Sequence, residues 1–408
     1  ILVEPISHVR SGSVGFWGRR GSRHEGPREE GLAHFLEHTV FKGTESFATP
    51  DEMAAATDGL GGHVDAFTGK EVACFYGKVL SDQLPDLVKL LGELVTSPRF
   101  DAEELTRERS VILEEIAQSE DQPDDWVSEL FYGGFWEGTP LAHPILGTRD
   151  QVSAYGPAEA RAFFDHTYRA PNLVVAAAGA IDPGAFQALL KPILDRLPKG
   201  TDHAPATLAR TRPFVLNVPR KDLQQANLVM GFPAPDHRSP DRSAANLLSH
   251  VLGGGMASRL FLELRERRGL CYQVGSYLSP YADTGALQIS ASCAPAQLRE
   301  LVQRTMAECA RIRETGVAAD ELERAKLQAC TSLVFSQESS SSRMFSLAHQ
   351  TIHQGELRGL DAQVAEIDAV TPEDLQRMAQ TLLDPAALGL SVLGTRRGCE
   401  IRPQDLVA

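Results

Sequence analysis

The stretch FDAEELTRERSVILEEIAQ, residues 100–118, has a counterpart in the second half of the chain. At an offset of 217 residues it aligns with VAADELERAKLQACTSLVF, residues 317–335. Upstream, LPDLV at Leu84 matches LRELV at Leu298 with three residues of slippage. Self-similarity between the two halves of a 408-residue chain indicates an internal duplication.

Strand-like and helical segments recur in the same order in each half. The strand-like ones are SVGFW, VDAFTGKEVACFYGKVL and NLVVAAAGAI, then QANLVMGF, QVGSYLSP, GALQISASC and LGLSVLG. We therefore predict an α+β protein of two homologous α/β domains, each a mainly antiparallel sheet with helices packed on one side. The polar run PKGTDHAPATLARTRP predicts the boundary: a domain of residues 1–200, a linker of 201–213 and a domain of 214–408. The short SSSS at 339–342 predicts a loop.

Composition limits the classes of partner. The formal net charge of −14 argues against binding to nucleic acid or to an anionic membrane. No apolar run approaches the roughly 18 to 20 residues that a membrane span needs. Six cysteines without a C-x-x-C pair favour buried thiols in a reducing compartment over a disulfide framework. We expect a cytoplasmic location, with the periplasm as the alternative.

A second stretch, GLAHFLEHTVFKGT from Gly31, places two histidines and a glutamate in an apolar helical run. His34 and His38 lie one turn apart and point the same way, so both imidazoles can reach one cation. The carboxylate of Glu37 lies beside them and can accept a proton from water bound to that cation. The order His-x-x-Glu-His inverts the common zinc-protease helix. The alternative is a helix with two hydrogen-bonded core histidines and a surface glutamate.

The helical wheel of ELTRERSVILEEIA, residues 104–117, identifies a third ligand. At about 100° per residue, Glu108 and Glu115 fall within about 20° of each other, in the middle of the apolar face. Unpaired carboxylates are costly to bury, so a cation should compensate them. Glu114 points away and is the solvated member of its pair. The duplicated half has Ala325 and Ser332 at the two positions, so the fold does not require acids there; the alternative is a solvated charge run.

The ordered set of motifs resembles the pitrilysin-like zinc peptidases, in particular the half-length group with the mitochondrial processing peptidase and bacterial processing proteases. The matching segments cover nearly the whole chain and are GSRHE, GLAHFLEHTVFKGT, GGHVDAFTGKEVACFY, ERSVILEE and GGGMASRLFLELRERRGLCY. The resemblance implies that His34, His38 and Glu115 bind one Zn²⁺ per chain, that Glu37 activates water, and that Glu108 supports the site.

The resemblance also assigns residues to the substrate. It implies that Arg265 and Tyr272 hold the scissile carbonyl across a closed chamber, and that the strand with Asp65, Ala66, Phe67 and Thr68 pairs with extended substrate. The family commonly has asparagine at the position of Asp65 and methionine at that of Thr39, neither of them a ligand position. By itself, Arg265 also fits a surface arginine.

Three further positions fit a purely structural role. Gly253 to Gly255 fit either a flexible loop near substrate or a helix-breaking turn, because no lysine or hydroxyl residue follows at P-loop spacing. We expect His24 and His63 to be loop or surface histidines and not metal ligands.

These observations predict a zinc-dependent endopeptidase that cuts unstructured peptides or leader segments. One alternative is a non-catalytic scaffold subunit, which usually shows an eroded metal motif. Another is a subunit that is active only with a partner. Because the chain carries both the metal residues and the arginine–tyrosine pair, we expect a homodimer, with a heterodimer of related subunits as the alternative.

Overall fold

The computed structural model describes residues 1–200 and 208–406, which form two compact units. Unit 1 contains residues 1–118, the described part of 143–207, and 335–357. Unit 2 contains residues 119–142, 208–334 and the described part of 358–408. Each unit therefore includes a segment from the other half of the sequence. The predicted boundaries at 200 and 214 stay a prediction, and residues 201–207 of the predicted linker lie outside the described residues.

Unit 1 contains a five-stranded sheet in the order β1-β5-β2-β4-β3. Strands β1 and β5 are parallel, and the other neighbours are antiparallel. The strands are β1 Leu2–Pro5, β2 Ser11–Gly18, β3 His63–Thr68, β4 Ala73–Leu80 and β5 Leu173–Gly179. The helices are α1 Leu32–Val40, α2 Pro50–Gly59, α3 Leu84–Leu94, α4 Ala102–Asp121, α6 Arg149–Ala154, α7 Pro157–Thr167, α8 Pro183–Leu194 and α12 Ser340–His349.

Unit 2 repeats this topology with the order β6-β10-β7-β9-β8, again with a single parallel pair, β6 and β10. The strands are β6 Phe214–Val218, β7 Ala226–Pro233, β8 Cys271–Pro280, β9 Gly285–Cys293 and β10 Gly389–Leu393. The helices are α5 Pro123–Phe135, α9 Arg242–Gly253, α10 Leu298–Thr315, α11 Ala319–Ser336, α13 Leu360–Asp368 and α14 Pro372–Leu382. The shared strand order supports the predicted duplication.

Successive side chains of a strand point to opposite faces of the sheet. In both units, apolar residues occupy both faces. In unit 1, one face packs against a large core that includes α1, α3, α4, α7 and α8. The opposite face, with Trp17 and Ala176, packs against Met344 and Ala348 of α12. In unit 2, the corresponding second face, with Val229 and Leu393, packs against α5. The predicted α+β class is confirmed, and the structure adds one helix on the second face of each sheet.

The prediction of a loop at residues 339–342 is wrong. Ser339 is the N-cap of α12, and its hydroxyl accepts a hydrogen bond from the Ser342 amide. The Ser340 hydroxyl is buried against that of Ser13 on β2, at 2.9 Å. Serine favours helix N-caps because its oxygen satisfies a free amide there, so this serine run begins a helix.

The structure shows the state of the cysteines and the hydropathy of the helices. All six cysteines are free thiols, and four of them are buried. The buried ones are Cys74, Cys271, Cys293 and Cys309. Across residues 1–200 and 208–406, no helix is both long enough and apolar enough to cross a membrane.

Candidate metal centre

Helix α1 carries the inverted motif and is anchored by its apolar residues. Phe35, Leu36 and Val40 are almost fully buried in the core of unit 1. His34 is 9% exposed, and its ring centroid lies 4.5 Å from that of His38. Burial of the apolar face thus fixes the helix, while both imidazoles project together on another side.

Helix α4 supplies the carboxylates from one side of its wheel. Leu105, Ile112 and Ile116 are buried, and Glu108 is buried among them at 6% exposure. The Glu115 side chain is 35% exposed, while Glu114 is exposed to solvent. In this structure Glu115 lies toward the two histidines, and Glu114 lies in solvent.

The three predicted ligand atoms converge. An oxygen of Glu115 lies 3.4 Å from His38 Nε2 and 3.8 Å from His34 Nε2, and the ligand atoms all lie within 4.8 Å of one another. For zinc–ligand distances of about 2.0–2.1 Å in a tetrahedral site, neighbouring ligand atoms are about 3.4 Å apart. Two neutral imidazoles and one carboxylate are also the donor types of catalytic zinc sites. These residues fit one zinc ion.

Glu108 orients His38. His38 Nδ1–H donates to Glu108 Oε1 at 2.8 Å, and Lys42 Nζ donates to Glu108 Oε2 at 2.8 Å. With the proton at Nδ1, the Nε2 lone pair of His38 faces Glu115. Burial alone would raise the pKa of Glu108, but the hydrogen bonds from His38 and Lys42 and the charge of Lys42 hold it below its usual value.

The pKa values of the two histidines are shifted in opposite directions. Burial, together with the neighbouring His38, lowers the pKa of His34 to about 3, so this imidazole is neutral. Burial also lowers the pKa of His38, but the Glu108 hydrogen bond and the nearby carboxylates outweigh it and raise that pKa overall. Metal ligation requires neutral imidazoles; burial favours this state at His34, whereas at His38 the nearby carboxylates oppose it.

Glu37 lies next to the ligands with one unsatisfied oxygen. Burial raises the pKa of Glu37, and a hydrogen bond with Thr68 opposes the increase. Its Oε2 is buried and has no hydrogen-bond partner within the described part of the chain. An acceptor of this kind beside a ligand cluster is suited to take a proton from a water molecule.

The predicted substrate residues lie on β3, which is the edge strand of its sheet. Asp65 and Phe67 alternate with Ala66 and Thr68 on the two faces. The Ala66 amide donates to Asp65 Oδ1 at 2.8 Å. Because β3 ends the strand order of its sheet, its outer edge is where an added strand would pair.

Arg265 and Tyr272 are brought together within unit 2. The Arg265 guanidinium lies 4.8 Å from the Tyr272 ring centroid and 4.6 Å from that of Phe261. Arg265 belongs to the π-helical segment Phe261–Glu266, and Tyr272 lies at a β-bulge between Cys271 and Val274. Tyr272 is 77% exposed. An exposed phenol and a guanidinium held by stacking are available to a ligand.

His24, His63 and the glycine run at 253–255 have structural positions in this fold. His63 is exposed on β3, and His24 lies in a short helical turn where its Nδ1 accepts from the Gly21 amide. Gly253 ends α9, and a side chain on it would approach the Ser276 amide to 2.6 Å. The glycine run is thus a helix-ending turn with a close contact to β8.

Sequence reasoning missed two residues that shape the site, Lys42 and Glu25. Lys42 follows α1 and pairs with Glu108; its position four residues after His38 was the available signal. Glu25 accepts hydrogen bonds from the first turn of α1. The sequence feature that could have indicated Glu25 is Gly31: it begins the helix and has no side chain to cap it, so another residue must do so.

Comparisons with known proteins identify the family of this chain. A family profile described as Insulinase (Peptidase family M16) matches residues 2–149, and one described as Peptidase M16 inactive domain matches residues 156–329. An uncharacterized zinc protease of Mycobacterium leprae is 34% identical over 410 residues, covering 100% of this chain and 92% of its own length. Another, from Streptomyces coelicolor, is 35% identical over 402 residues, covering 97% and 87%.

The solved structure of a peptidase M16 inactive domain from Pseudomonas fluorescens superposes with a TM-score of 0.90 at 22% identity, covering 97% of this chain and 95% of the other. At that identity it shows the fold alone. The chain belongs to peptidase family M16, the insulinase and pitrilysin-like family. The alignment covers 92% and 87% of the length of these two zinc-protease relatives, which is consistent with the half-length group.

Proposed function

We propose that the chain is a zinc-dependent endopeptidase that hydrolyses peptide bonds in unstructured peptides or leader segments. The observation that carries the proposal is the convergence of His34, His38 and Glu115 within 4.8 Å, beside the unsatisfied oxygen of Glu37. We further propose that these three residues hold one zinc ion per chain. The zinc-protease names of the relatives support the choice of metal.

The chain's own residues define the chemistry. When bound, zinc would supply Lewis acidity and lower the pKa of a water molecule. Glu37 would accept a proton from that water on its free carboxylate oxygen and return it to the leaving amine. Glu108 would hold His38 in the tautomer that leaves Nε2 free for ligation.

Substrate would bind as an added strand. The outer edge of β3 includes Thr68, which contacts Glu37. An extended peptide paired there would run past the metal ligands, whereas a folded protein would not present a free strand. Arg265 and Tyr272 take the role that the family resemblance gives them, as donors to the developing oxyanion.

The test is cleavage of a quenched-fluorescence peptide by the full chain. We expect cleavage that a zinc chelator abolishes and added zinc restores, with no cleavage of a tightly folded protein as the matched control. Zinc analysis should give one ion per chain. A zinc-loaded chain that cleaves no peptide in a randomised library would contradict the proposal.

The second candidate is a non-catalytic subunit of a processing-peptidase-like complex. The description of the family profile that matches residues 156–329, Peptidase M16 inactive domain, is the reason to consider this candidate. Inactive relatives do not need an intact base, so the presence of Glu37 favours the enzyme. Co-purified partner subunits together with the failed cleavage just described would support the scaffold.

We also propose a homodimer, with a heterodimer as the alternative, and a bacterial cytoplasmic location, with the periplasm as the alternative. Mixing Arg265→Ala with Glu37→Gln tests the homodimer. Activity restored on mixing would show that each site uses residues of two chains. Activity equal to the sum of the two inactive variants would show that each chain completes its own site.

A further inference from the structure

Helix α1 begins without a side-chain cap of its own. Its N-cap is Gly31, with φ 91° and ψ 0°, a left-handed conformation that favours glycine. A Cβ at Gly31 would lie 2.7 Å from the Leu146 carbonyl oxygen and 2.8 Å from the Gly147 Cα. No serine, threonine or aspartate fits here, so the free amides of the first turn need another acceptor.

Glu25 supplies that acceptor from upstream in the chain. Its Oε2 accepts from the Gly31 amide at 2.9 Å, and its Oε1 accepts from the Ala33 amide at 2.8 Å. The residue is only 6% exposed. Burial raises the pKa of Glu25 to about 8, and the hydrogen bonds from the two amides oppose this increase. Both oxygens thus hold the turn that immediately precedes and includes His34.

The backbone that carries Glu25 is itself fixed to the β3–β4 turn. The Ser22 amide donates to Gly69 O at 3.1 Å, and the Arg23 amide donates to Lys70 O at 2.9 Å. The Arg23 guanidinium pairs with Glu71 at 2.6 Å, with side chains 3% and 9% exposed. Glu25 therefore connects the start of α1 to the β3–β4 hairpin. Strand β3 of this hairpin is the strand predicted to bind substrate.

His34 depends on this connection more than His38 does. His38 is oriented by a hydrogen bond from its Nδ1 to Glu108. The Nδ1 of His34 is buried and lacks a hydrogen-bond partner among the described residues. The position of its ring is therefore set by the backbone of the first turn of α1, which Glu25 holds.

We propose that Glu25 is a positioning residue for the metal centre: by holding the first turn of α1 to the β3–β4 turn, it sets the position of His34 relative to His38 and Glu115. The inference rests on the proposed metal site and extends it. The two histidines are then oriented by two different carboxylates, Glu108 through an imidazole nitrogen and Glu25 through the helix backbone.

Glu93 provides a matched control. This carboxylate is also buried in unit 1, at 7% exposure, and accepts from the Thr44 hydroxyl at 2.7 Å and from the Ser46 amide at 3.0 Å. It holds the segment after α1 and, within the described part of the chain, forms its hydrogen bonds with Thr44 and Ser46 and not with a predicted ligand. Glu25→Gln and Glu93→Gln each replace one carboxylate oxygen that accepts an N–H or O–H by an amide that cannot.

The experiment loads the full chain with Co²⁺ and records the visible absorption spectrum, the Co²⁺ affinity by chelator competition, and the thermal unfolding midpoint. We expect Glu25→Gln to alter the spectrum and to weaken Co²⁺ binding by about tenfold, the lower end for outer partners of a metal site. Glu93→Gln should lower the midpoint while it leaves the spectrum and the affinity unchanged.

Two results would overturn the inference in distinguishable ways. If the wild type gives a Co²⁺ spectrum that Glu115→Gln abolishes, but Glu25→Gln matches the wild type in spectrum and affinity, Glu25 is only a structural cap and the metal site stands. If the wild type and Glu115→Gln bind Co²⁺ equally, the proposed metal site fails and this inference fails with it. Glu25→Asp, which is shorter by one methylene, provides a second folded variant and should show an intermediate spectrum.

Discussion

Replacing Glu108 should weaken metal binding without removing a metal ligand. Its two oxygens have separate partners, His38 Nδ1 and Lys42 Nζ, both at 2.8 Å. In Glu108→Ala, His38 loses the acceptor that fixes its tautomer, and the Lys42 ammonium loses its counter-charge beside a cation site. In Glu108→Gln, the amide oxygen can still accept from His38, but the negative charge is lost.

The expected magnitude follows from the loss of such an outer carboxylate, which typically lowers metal affinity by about 10 to 100-fold. We expect the lower limit for Glu108→Gln and the upper limit for Glu108→Ala, because only the glutamine keeps one of the two hydrogen bonds. These factors correspond to about 1.4 and about 2.7 kcal/mol.

The assay is a competition titration of zinc against a fluorescent chelator at constant pH. Glu114→Gln is the control, since it removes the same charge from an exposed position on the same helix, and its zinc affinity should equal that of the wild type. A Glu108→Ala variant that is folded and binds zinc within twofold of the wild type would refute the assignment of Glu108 as the residue that orients His38.

Three further predictions concern other parts of the chain. Arg265→Ala should keep full zinc content but lose about 10²-fold in kcat, as for loss of an oxyanion donor; unchanged peptide hydrolysis would exclude that role. Gly31→Ala should destabilise the protein by at least about 1–2 kcal/mol in denaturant unfolding, because φ is 91° and the new Cβ would meet Leu146 O at 2.7 Å. Burial raises the pKa of Glu321, but its hydrogen bonds with Arg259 and with a backbone amide outweigh this and lower it, so the ion pair stabilises the fold above about pH 4.5 and is lost as the pH falls through the lowered pKa. Glu321→Gln should therefore cost about 2 kcal/mol at pH 7 and progressively less below pH 4.5; a pH-independent difference in unfolding free energy would contradict this.

The parts of the fold that were predicted are those with strong local patterns. The long central strands alternate or are rich in β-branched residues, and the segments around Leu84 and Leu298 match because the duplicated helices α3 and α10 begin there. The wheel of α4 separated Glu115 from Glu114 because helical periodicity alone decides which carboxylate faces the core.

The parts that were missed depend on contacts distant in sequence. Strands β1 and β6 have four and five residues, and they exist because of parallel pairing with β5 and β10. Helices α5 and α12 pack on sheets of the opposite sequence half, which no local pattern indicates.

Within the site, spacing predicted the candidate ligands but not the residues that hold the ligands in place. Glu25 precedes α1 by several residues and reaches it only because the chain from Ser22 to Arg23 binds the β3–β4 turn. Lys42 pairs with Glu108, which is 66 residues later in the chain, so local sequence does not indicate this contact. Such contacts become visible only in three dimensions.

The most direct test compares zinc content and peptide cleavage in the wild type, Glu37→Gln and Glu115→Gln. Glu37→Gln should retain one zinc per chain and lose turnover by about 10² to 10⁴-fold, as expected for removal of a general base. Glu115→Gln should lose zinc, because a ligand carboxylate is gone. Full activity in Glu37→Gln, or full zinc content in Glu115→Gln, would contradict the proposed metal centre.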